Sequence, residues 1–199
     1  MWIAGGKIHV AYVSDYDASQ GHRNEVYYRR FNMSLSPEHL SCPSGQLDGV
    51  AANYPCIEAT SASFVNVYYQ YGSASMHPIW ESYTTDSGAN WNPSEKISVG
   101  SPGVDLSCPE VAVWWDGADR RKMIVAQACN AGPYQIYTKR YFNGVWEATN
   151  ELASLGTYAP YPQICNRGTD LLVVFRGSGG TFNTGGAGYL NDKTGESIG

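Results

Sequence analysis

Tyrosine is the residue type that points most clearly to chemistry in this chain, with 15 copies beside six tryptophans. Many of these tyrosines fall in polar segments between apolar runs. Flat aromatic rings stack on sugar rings, while arginine and histidine address hydroxyl and carboxylate groups. The pattern predicts a surface that binds a carbohydrate or a glycosylated partner, although surface tyrosines also cap strand edges without binding anything. The predicted ligand-binding residues are Tyr16, His22, Arg23, Tyr54, Tyr71, His77, Tyr158 and Tyr161.

The elements that must position these residues repeat along the chain. Three segments begin alike, namely Tyr54-Pro55-Cys56-Ile57, Cys108-Pro109-Glu110-Val111 and Tyr161-Pro162-Gln163-Ile164. Their apolar residues, together with Ile3 near the start, are 54, 54 and 53 positions apart. Runs rich in β-branched residues follow each start and are separated by Gly, Pro, Asn and Asp clusters, as in strands joined by turns.

This period predicts an all-β protein, a β-propeller built of four-stranded antiparallel blades, with about four repeat units in a single domain. The predicted units are 1–53, 54–107, 108–160 and 161–199, and the last of them is incomplete. A β-sandwich whose strands happen to recur is the alternative. In such blades, the loops between the second and third strands and the loops leading to the next blade share one face, which here carries the tyrosine-rich segments.

One turn carries a family resemblance. The segment from Thr84 to Trp91 resembles an Asp-box, the pattern Ser/Thr-x-Asp-x-Gly-x-x-Trp of sialidase-type propellers. The resemblance implies a turn between the third and fourth strands of a blade, away from the catalytic face. It therefore implies a structural role for its four residues, Thr84, Asp86, Gly88 and Trp91. The same turn makes physical sense unaided, because an aspartate accepts backbone amide hydrogens and a glycine supplies positive φ.

The number of repeats leaves the architecture of the array open. Sialidase-like propellers usually have six blades, so the chain is either a portion of a larger propeller or a four-bladed ring with a shortened final blade. We expect an incomplete repeat array. Exposed blade faces would then favour association with further copies, which makes a homo-oligomer or a self-assembling structural subunit an alternative function.

An enzyme is the other alternative, as a sialidase-like glycoside hydrolase or polysaccharide lyase. The resemblance implies an arginine triad, a Tyr–Glu nucleophilic pair and an acidic aspartate, but no motif assigns them. The available arginines are Arg140, Arg167 and Arg176. Glycoside hydrolysis in general needs two carboxylates about 5–9.5 Å apart. The candidate carboxylates are Glu58, Asp105 and Glu110. Because charged residues also line wet channels without catalysing anything, a non-catalytic module is the preferred prediction.

Cysteine spacing predicts a disulfide. The midpoint of Cys108 and Cys129 falls in a turn around Ala118, so antiparallel strands about that turn would place the two residues opposite each other. Cys42 and Cys56 are a second possible pair, which leaves Cys165 over. A disulfide indicates an oxidising compartment, so we expect an extracellular or periplasmic location although the chain shows no signal peptide.

Composition excludes several other classes. The formal net charge is -5 with no run of Lys or Arg, which argues against nucleic-acid binding. No apolar stretch is long enough for a membrane span. The segment 15–21 alternates oxygen ligands but departs from the calcium-loop pattern, and the glycine-rich segment 177–186 lacks the lysine of a phosphate loop. We therefore predict no metal and no cofactor.

Overall fold

The computed structural model describes residues 1–14, 25–44, 52–72, 78–92, 95–97, 106–116, 119–128, 134–142, 144–154, 161–167, 170–175, 186–191 and 196–197. The chain divides into two compact units, Met1–Ile97 and Ser98–Gly199, and each holds two four-stranded sheets.

The first unit contains sheets one and two. Sheet one consists of β1 (Trp2–Ala4), β2 (Lys7–Ser14), β3 (Glu25–Asn32) and β4 (Pro37–Ser41). Sheet two consists of β5 (Ala52–Ala59), β6 (Val65–Tyr71), β7 (Ile79–Thr84) and β8 (Glu95–Ile97).

The second unit contains sheets three and four. Sheet three consists of β9 (Leu106–Asp116), β10 (Asp119–Ala128), β11 (Gln135–Phe142) and β12 (Val145–Ser154). Sheet four consists of β13 (Gln163–Arg167), β14 (Asp170–Phe175), β15 (Gly186–Asn191) and β16 (Glu196–Ser197).

In every sheet the strands pair antiparallel in chain order. The described residues contain no helix, so none of them forms a helix able to cross a membrane. The predicted fold class, an all-β protein made of four-stranded antiparallel blades, is confirmed. The strand-forming runs are those rich in Val, Ile and Tyr, whose branched or aromatic side chains suit a pleated surface.

The repeated apolar residue has the same partner position in all four sheets. It pairs across the first two strands as Ile3 with Ile8, Ile57 with Val67, Val111 with Ile124, and Ile164 with Val173. We call these four the seam pairs. Because side chains alternate along a strand, a shared register means that the same face of each sheet carries the pair.

The residue before the repeated proline adopts an unusual backbone conformation three times. Tyr54, Cys108 and Tyr161 have φ values of 50°, 50° and 44°, in the left-handed region that side chains rarely enter. In sheets two and three, a bulge interrupts the pairing of the first strand beside this residue. The repeat therefore retains a local kink as well as an apolar pattern.

Each unit has an apolar core between its two sheets. In the first unit, Val26 and Tyr28 of sheet one pack with Ile57, Val67 and Tyr69 of sheet two. The core of the second unit joins sheet three to sheet four through the buried side chains of Ala112, Trp114, Met123, Val125, Ile136, Leu171 and Val173. Neighbouring sheets thus bury each other's faces, which a single four-stranded sheet cannot do alone.

The predicted disulfide between Cys108 and Cys129 is wrong, because Cys108 is present as a thiol. Pairing begins at the turn with Asp116 opposite Asp119, and Leu106 lies opposite Ala128. Cys108 therefore lies two residues along β9 from Leu106, the partner of Ala128. A bulge between Val125 and Gln127 moves the register further from the one that would pair the two cysteines. Cys129 itself lies outside the described residues.

The second possible pair, Cys42 with Cys56, is not formed, because both residues are present as thiols. The Cys42 thiol lies within its own sheet, 3.4 Å from the carbonyl oxygen of Val26, to which it donates. Cys56 is buried in sheet two. Cys165, which the sequence left over, is an exposed thiol on β13.

Candidate functional site

A pocket of about 230 Å³ lies on sheet one. Its lining residues are Tyr12, Ser14, Tyr27, Arg29 and Leu40. They come from three adjacent strands and share one face, since Tyr12 pairs with Tyr27 and Arg29 pairs with Leu40. The pocket reaches the end of β2, where the chain enters the segment 15–24 that joins β2 to β3.

The aromatic wall of the pocket is a stacked pair of tyrosines. The rings of Tyr12 and Tyr27 have centroids 5.9 Å apart and planes inclined by 24°. The Tyr27 hydroxyl donates to Glu25 Oε2 at 3.0 Å, and the Cys42 thiol lies 3.7 Å from the same oxygen. Because its hydroxyl is held, the Tyr27 ring has little freedom to turn, and it presents a defined apolar surface beside Tyr12.

The polar wall of the pocket is Arg29. Its guanidinium lies over the ring of Phe31, with Cζ 5.3 Å from the ring centroid. The Nε atom is buried and has no hydrogen-bond partner among the described residues. A buried donor without a partner is costly, so this N–H stands out among the polar groups around the pocket, while the residue as a whole lines it.

Sheet two also has a buried N–H without a hydrogen-bond partner at the same register position, among the residues that the structure describes. Trp80 occupies the place on β7 that Arg29 occupies on β3, and its Nε1 is also buried with no hydrogen-bond partner in the described part of the chain. Trp80 meets Tyr71 edge to face, with ring centroids 5.4 Å apart. Both sheets of the first unit therefore set an aromatic ring beside an unsatisfied N–H.

The structure describes three of the eight predicted ligand-binding residues. Tyr54 lies near the start of β5 and is 50% exposed, while Tyr71 ends β6 and packs half-buried against Trp80. Tyr161 precedes β13 in the second unit and is 54% exposed. None of the three lines the pocket. Tyr16, His22, Arg23, His77 and Tyr158 lie outside the described residues.

The pocket residues are not among the predicted ligand-binding residues, which were expected in loops. Tyr12 and Tyr27 stand in strands, where tyrosine is a common residue of no special meaning. The alternation of Val10, Tyr12 and Ser14 along β2 is the sequence pattern that could have indicated the pocket. That alternation places polar and aromatic groups on the face that a blade ordinarily fills with aliphatic side chains.

Tyr161 is positioned by a buried amide. Its backbone N–H donates to Gln127 Oε1 at 2.9 Å, while Gln127 Nε2 donates to Ser107 Oγ at 2.9 Å and lies 3.6 Å from Cys108 Sγ. Gln127 is only 5% exposed. One side chain thus connects the kinks at Cys108 and Tyr161, the starts of two successive sheets.

Thr84, Asp86, Gly88 and Trp91, the four residues that resemble an Asp-box, lie at or directly after the end of β7. Thr84 Oγ1 donates to Asp86 Oδ1 at 2.7 Å, and the backbone N–H of Asn90 donates to the same oxygen at 2.9 Å. Hydrogen bonds from the Asn90 backbone, then its side chain, then Thr84 lower the pKa of Asp86 to about 2. The turn is therefore a closed hydrogen-bonded unit around one carboxylate.

This turn also contacts sheet one. The Gly88 carbonyl lies 2.7 Å from His39 Nε2, which donates to it, and Trp91 Nε1 donates to Ser41 Oγ at 2.9 Å. The Trp91 ring meets Tyr28 edge to face at 5.4 Å. The contacts place these residues between the two sheets of the first unit rather than at the pocket.

The candidate carboxylates for hydrolysis have protein partners. Glu58 is fully buried and accepts a hydrogen bond from Asn66 at 3.2 Å, and Glu110 accepts one from Gln163 at 3.0 Å. Asp105 lies outside the described residues. Of the arginines, Arg140 pairs with Glu147 at 2.6 Å. No group of three or more potential metal-ligating side chains occurs in the part of the chain that the structure describes.

No protein-family model matches the chain, and no curated protein sequence matches it. Among solved structures, a protein of unknown function from Dyadobacter fermentans matches with a TM-score of 0.62 and 15% identity over 94% of this chain. The fucose-specific lectin from Aleuria aurantia matches with a TM-score of 0.57 and 15% identity over 95% of this chain. The K499G mutant of the NanB sialidase from Streptococcus pneumoniae matches with a TM-score of 0.57 and 15% identity over 86% of this chain.

These similarities define the class of fold and no more. The fold is that of β-propeller blades. The chain spans 51% of the length of the Dyadobacter fermentans protein, 54% of the lectin and 26% of the sialidase. At 15% identity, the likeness says nothing about which residues bind a ligand.

Proposed function

We propose that this chain is a non-catalytic carbohydrate-recognition module, and that the pocket on sheet one binds one sugar ring. The observation that carries the proposal is the stacked Tyr12–Tyr27 pair in one pocket with the side chain of Arg29. A sugar has apolar C–H faces and a rim of hydroxyl oxygens. The tyrosine rings suit the faces, and the guanidinium of Arg29 suits an oxygen of the rim.

The size of the pocket supports a small ligand. Its volume of about 230 Å³ is below the roughly 300–1,000 Å³ of sites that enclose drug-sized molecules. One sugar residue at the end of a larger glycan fits this description. The structural neighbours that include a fucose-specific lectin and a sialidase are consistent with such a ligand, and the intact Asp-box pattern favours the sialidase-like type of propeller.

The predicted loop residues extend the same proposal. The segment 15–24, which contains Tyr16, His22 and Arg23, begins directly after the pocket residue Ser14. Tyr54, Tyr71, His77, Tyr158 and Tyr161 stay predicted contacts for a longer glycan. We propose that units 1–53, 54–107, 108–160 and 161–199 are consecutive blades of one domain, and that the protein acts outside the cell or in the periplasm. Since Cys42, Cys56, Cys108 and Cys165 are thiols, the location no longer draws support from a disulfide.

A glycan array followed by titration calorimetry tests the proposal. The full chain should bind at least one sugar, and Tyr12→Ala or Arg29→Ala should weaken that binding by at least tenfold. Arg29→Lys should not restore it, because an ammonium group does not reproduce the planar set of guanidinium N–H donors.

The matched control is Tyr83→Ala. Tyr83 stacks on Phe64 with ring centroids 6.2 Å apart, so the variant removes a similar aromatic pair far from the pocket residues in sequence and on another sheet. This variant should bind as the unchanged protein does. Absence of binding to every glycan, or equal losses for Tyr83→Ala and Tyr12→Ala, contradicts the proposal.

A further inference from the structure

The turn between β3 and β4 carries a modification motif. It contains the segment Asn32-Met33-Ser34, in which an asparagine is followed two positions on by a serine, with no proline between them. This is the acceptor pattern for N-linked glycans, and such a pattern belongs in a surface loop of a secreted protein. The segment begins at the last residue of β3 and lies in a loop, as the pattern requires.

The other asparagines of the sequence do not fit this pattern. Only Asn92 has a serine or threonine two positions on, and the residue between them is Pro93, which excludes it as an acceptor. The Asn92 amide also has a partner in the fold, because its Nδ2 donates to the Tyr83 carbonyl at 3.3 Å. Asn92 therefore provides an internal comparison for Asn32.

The turn holds the Asn32 side chain through its oxygen atom. Asn32 Oδ1 accepts the backbone N–H of Ser34 at 3.0 Å and that of Ser36 at 2.9 Å, as asparagines in tight turns do. Within the described ranges, no hydrogen bond uses Asn32 Nδ2. An N-linked glycan attaches at Nδ2, so its attachment leaves both bonds to Oδ1 in place.

The turn is open to solvent and carries apolar side chains. Met33 is 59% exposed and Leu35 is 69% exposed, and Ser34 between them is exposed as well. The backbone of the turn is closed, since Leu35 N–H donates to the Asn32 carbonyl at 3.0 Å. A glycan on Asn32 is bulky and solubilising, so it would cover part of this apolar surface without a change in the backbone.

We propose that Asn32 is a site of N-linked glycosylation, with a lipid-linked oligosaccharide diphosphate as the glycan donor. In this transfer, Asn32 Nδ2 forms a bond to C1 of the first sugar and loses one of its two protons. The bond between C1 and the diphosphate oxygen breaks, and the lipid diphosphate leaves with that electron pair and takes up the proton. Glycosylation requires the proposed location outside the cell or in the periplasm, and it does not depend on the sugar pocket.

The glycan and the pocket lie at opposite ends of sheet one. Asn32 pairs with Lys7 at the start of β2, whereas the pocket residue Ser14 pairs with Glu25 at the other end of the same two strands. Tyr27 of the pocket stands five residues before Asn32 on β3. That separation corresponds to about 17 Å along the strand. The modified protein therefore keeps its pocket open to a ligand.

Secretion of the full chain from a eukaryotic cell behind a cleavable leader tests the proposal, and only chain that has lost the leader is scored. A form heavier than 21.7 kDa should appear, and an amidase that removes N-linked glycans should return it to that mass and convert Asn32 to aspartate. Ser34→Ala should abolish the heavier form, and Ser34→Thr should keep it. Ser36→Ala is the matched control and should also keep it, since both serines bond to Asn32 through the backbone N–H alone.

Three results would overturn the proposal. They are the absence of a heavier form, a heavier form that persists in Ser34→Ala, and a glycan found at Asn92 instead. Asn32→Asp keeps an acceptor oxygen for the turn but has no amide, so the glycosylated chain should unfold at no lower a temperature than this variant. A lower temperature would mean that the folded turn does not accommodate a glycan. Sugar binding is measured on the amidase-treated protein, so it can fail while the glycosylation site stands.

Discussion

Gln127 Oε1 lies 2.9 Å from the backbone nitrogen of Tyr161 and accepts its hydrogen. The bond joins the second strand of sheet three to the start of sheet four across 34 residues of sequence. It also stabilises an unfavourable backbone conformation. The φ of Tyr161 is 44°, in the left-handed region, and the following proline favours an extended conformation at that position. The cost of the kink is thus offset by a hydrogen bond from another strand.

Replacing Gln127 should destabilise the second unit. In Gln127→Ala the Tyr161 N–H and the Ser107 hydroxyl both lose a partner, so the free energy of unfolding should fall by about 1–3 kcal/mol in urea denaturation. Glu151→Ala is the control, because the exposed Glu151 accepts a hydrogen bond from Gln135 at the surface, and its loss should change stability by less than about 0.5 kcal/mol. Equal effects of the two changes would mean that the Gln127 amide does not support the kink.

Gly88 should not tolerate a side chain. Its φ is 93°, and an added Cβ would lie 2.6 Å from Tyr28 Cε1, so Gly88→Ala combines backbone strain with a clash and should lower the unfolding free energy by at least about 3 kcal/mol. Gly144→Ala isolates the strain, since its φ is 81° but no atom lies within 4 Å of the added Cβ. That variant should lose only about 1 kcal/mol. Chemical denaturation of both proteins gives the comparison, which fails if Gly144→Ala is the more harmful change.

The Asp86 carboxylate should contribute stability that acid removes. Hydrogen bonds hold its pKa at about 2, below the ordinary value, so folding is favoured by the ionised form and this contribution is complete above about pH 4. It should fade as the pH drops through about 2. In thermal melts, Asp86→Asn should unfold at a lower temperature than the unchanged protein at about pH 6, and the two curves should converge near about pH 2. A constant difference across this range would exclude the ionised carboxylate as the cause.

His9 should make stability depend on pH near neutrality. Burial lowers the pKa of His9, whose Nδ1 lies 2.8 Å from the Tyr28 hydroxyl and whose Nε2 lies 3.4 Å from the Ala4 carbonyl. The unfolded chain therefore takes up a proton more readily than the folded one, and stability should fall as the pH drops below about 6.5. His9→Gln should remove that part of the slope between about pH 7 and about pH 5. The slope is measured by urea denaturation, and an unchanged slope would point to another group.

Much of the fold follows from features that the sequence carries locally. The seam residues Ile3, Ile57, Val111 and Ile164 mark a period because each sheet needs an apolar side chain at the same register position. Strand-forming runs and turn residues then define four strands in each sequence repeat. These signals depend on side-chain type and spacing alone, so they can be counted without a structure.

The pairing of Cys108 and the position of the pocket could not be predicted in the same way. The partner of Cys108 depends on where pairing begins at Asp116 and on a bulge, and a shift of one or two residues there changes every opposite residue. The pocket depends on which face of sheet one is left uncovered. That is a property of how sheets pack. In the sequence, Tyr12 and Tyr27 cannot be told from buried strand tyrosines such as Tyr69.

The left-handed kink before each repeated proline has a consequence for engineering. The residue in this conformation is tyrosine twice and cysteine once, and both tyrosines are at least half exposed. A randomised library at positions 54 and 161 should therefore retain the fold for many residue types. Sequencing of the folded survivors should show enrichment of glycine and asparagine and depletion of valine, isoleucine and threonine, because branched side chains are the least compatible with positive φ.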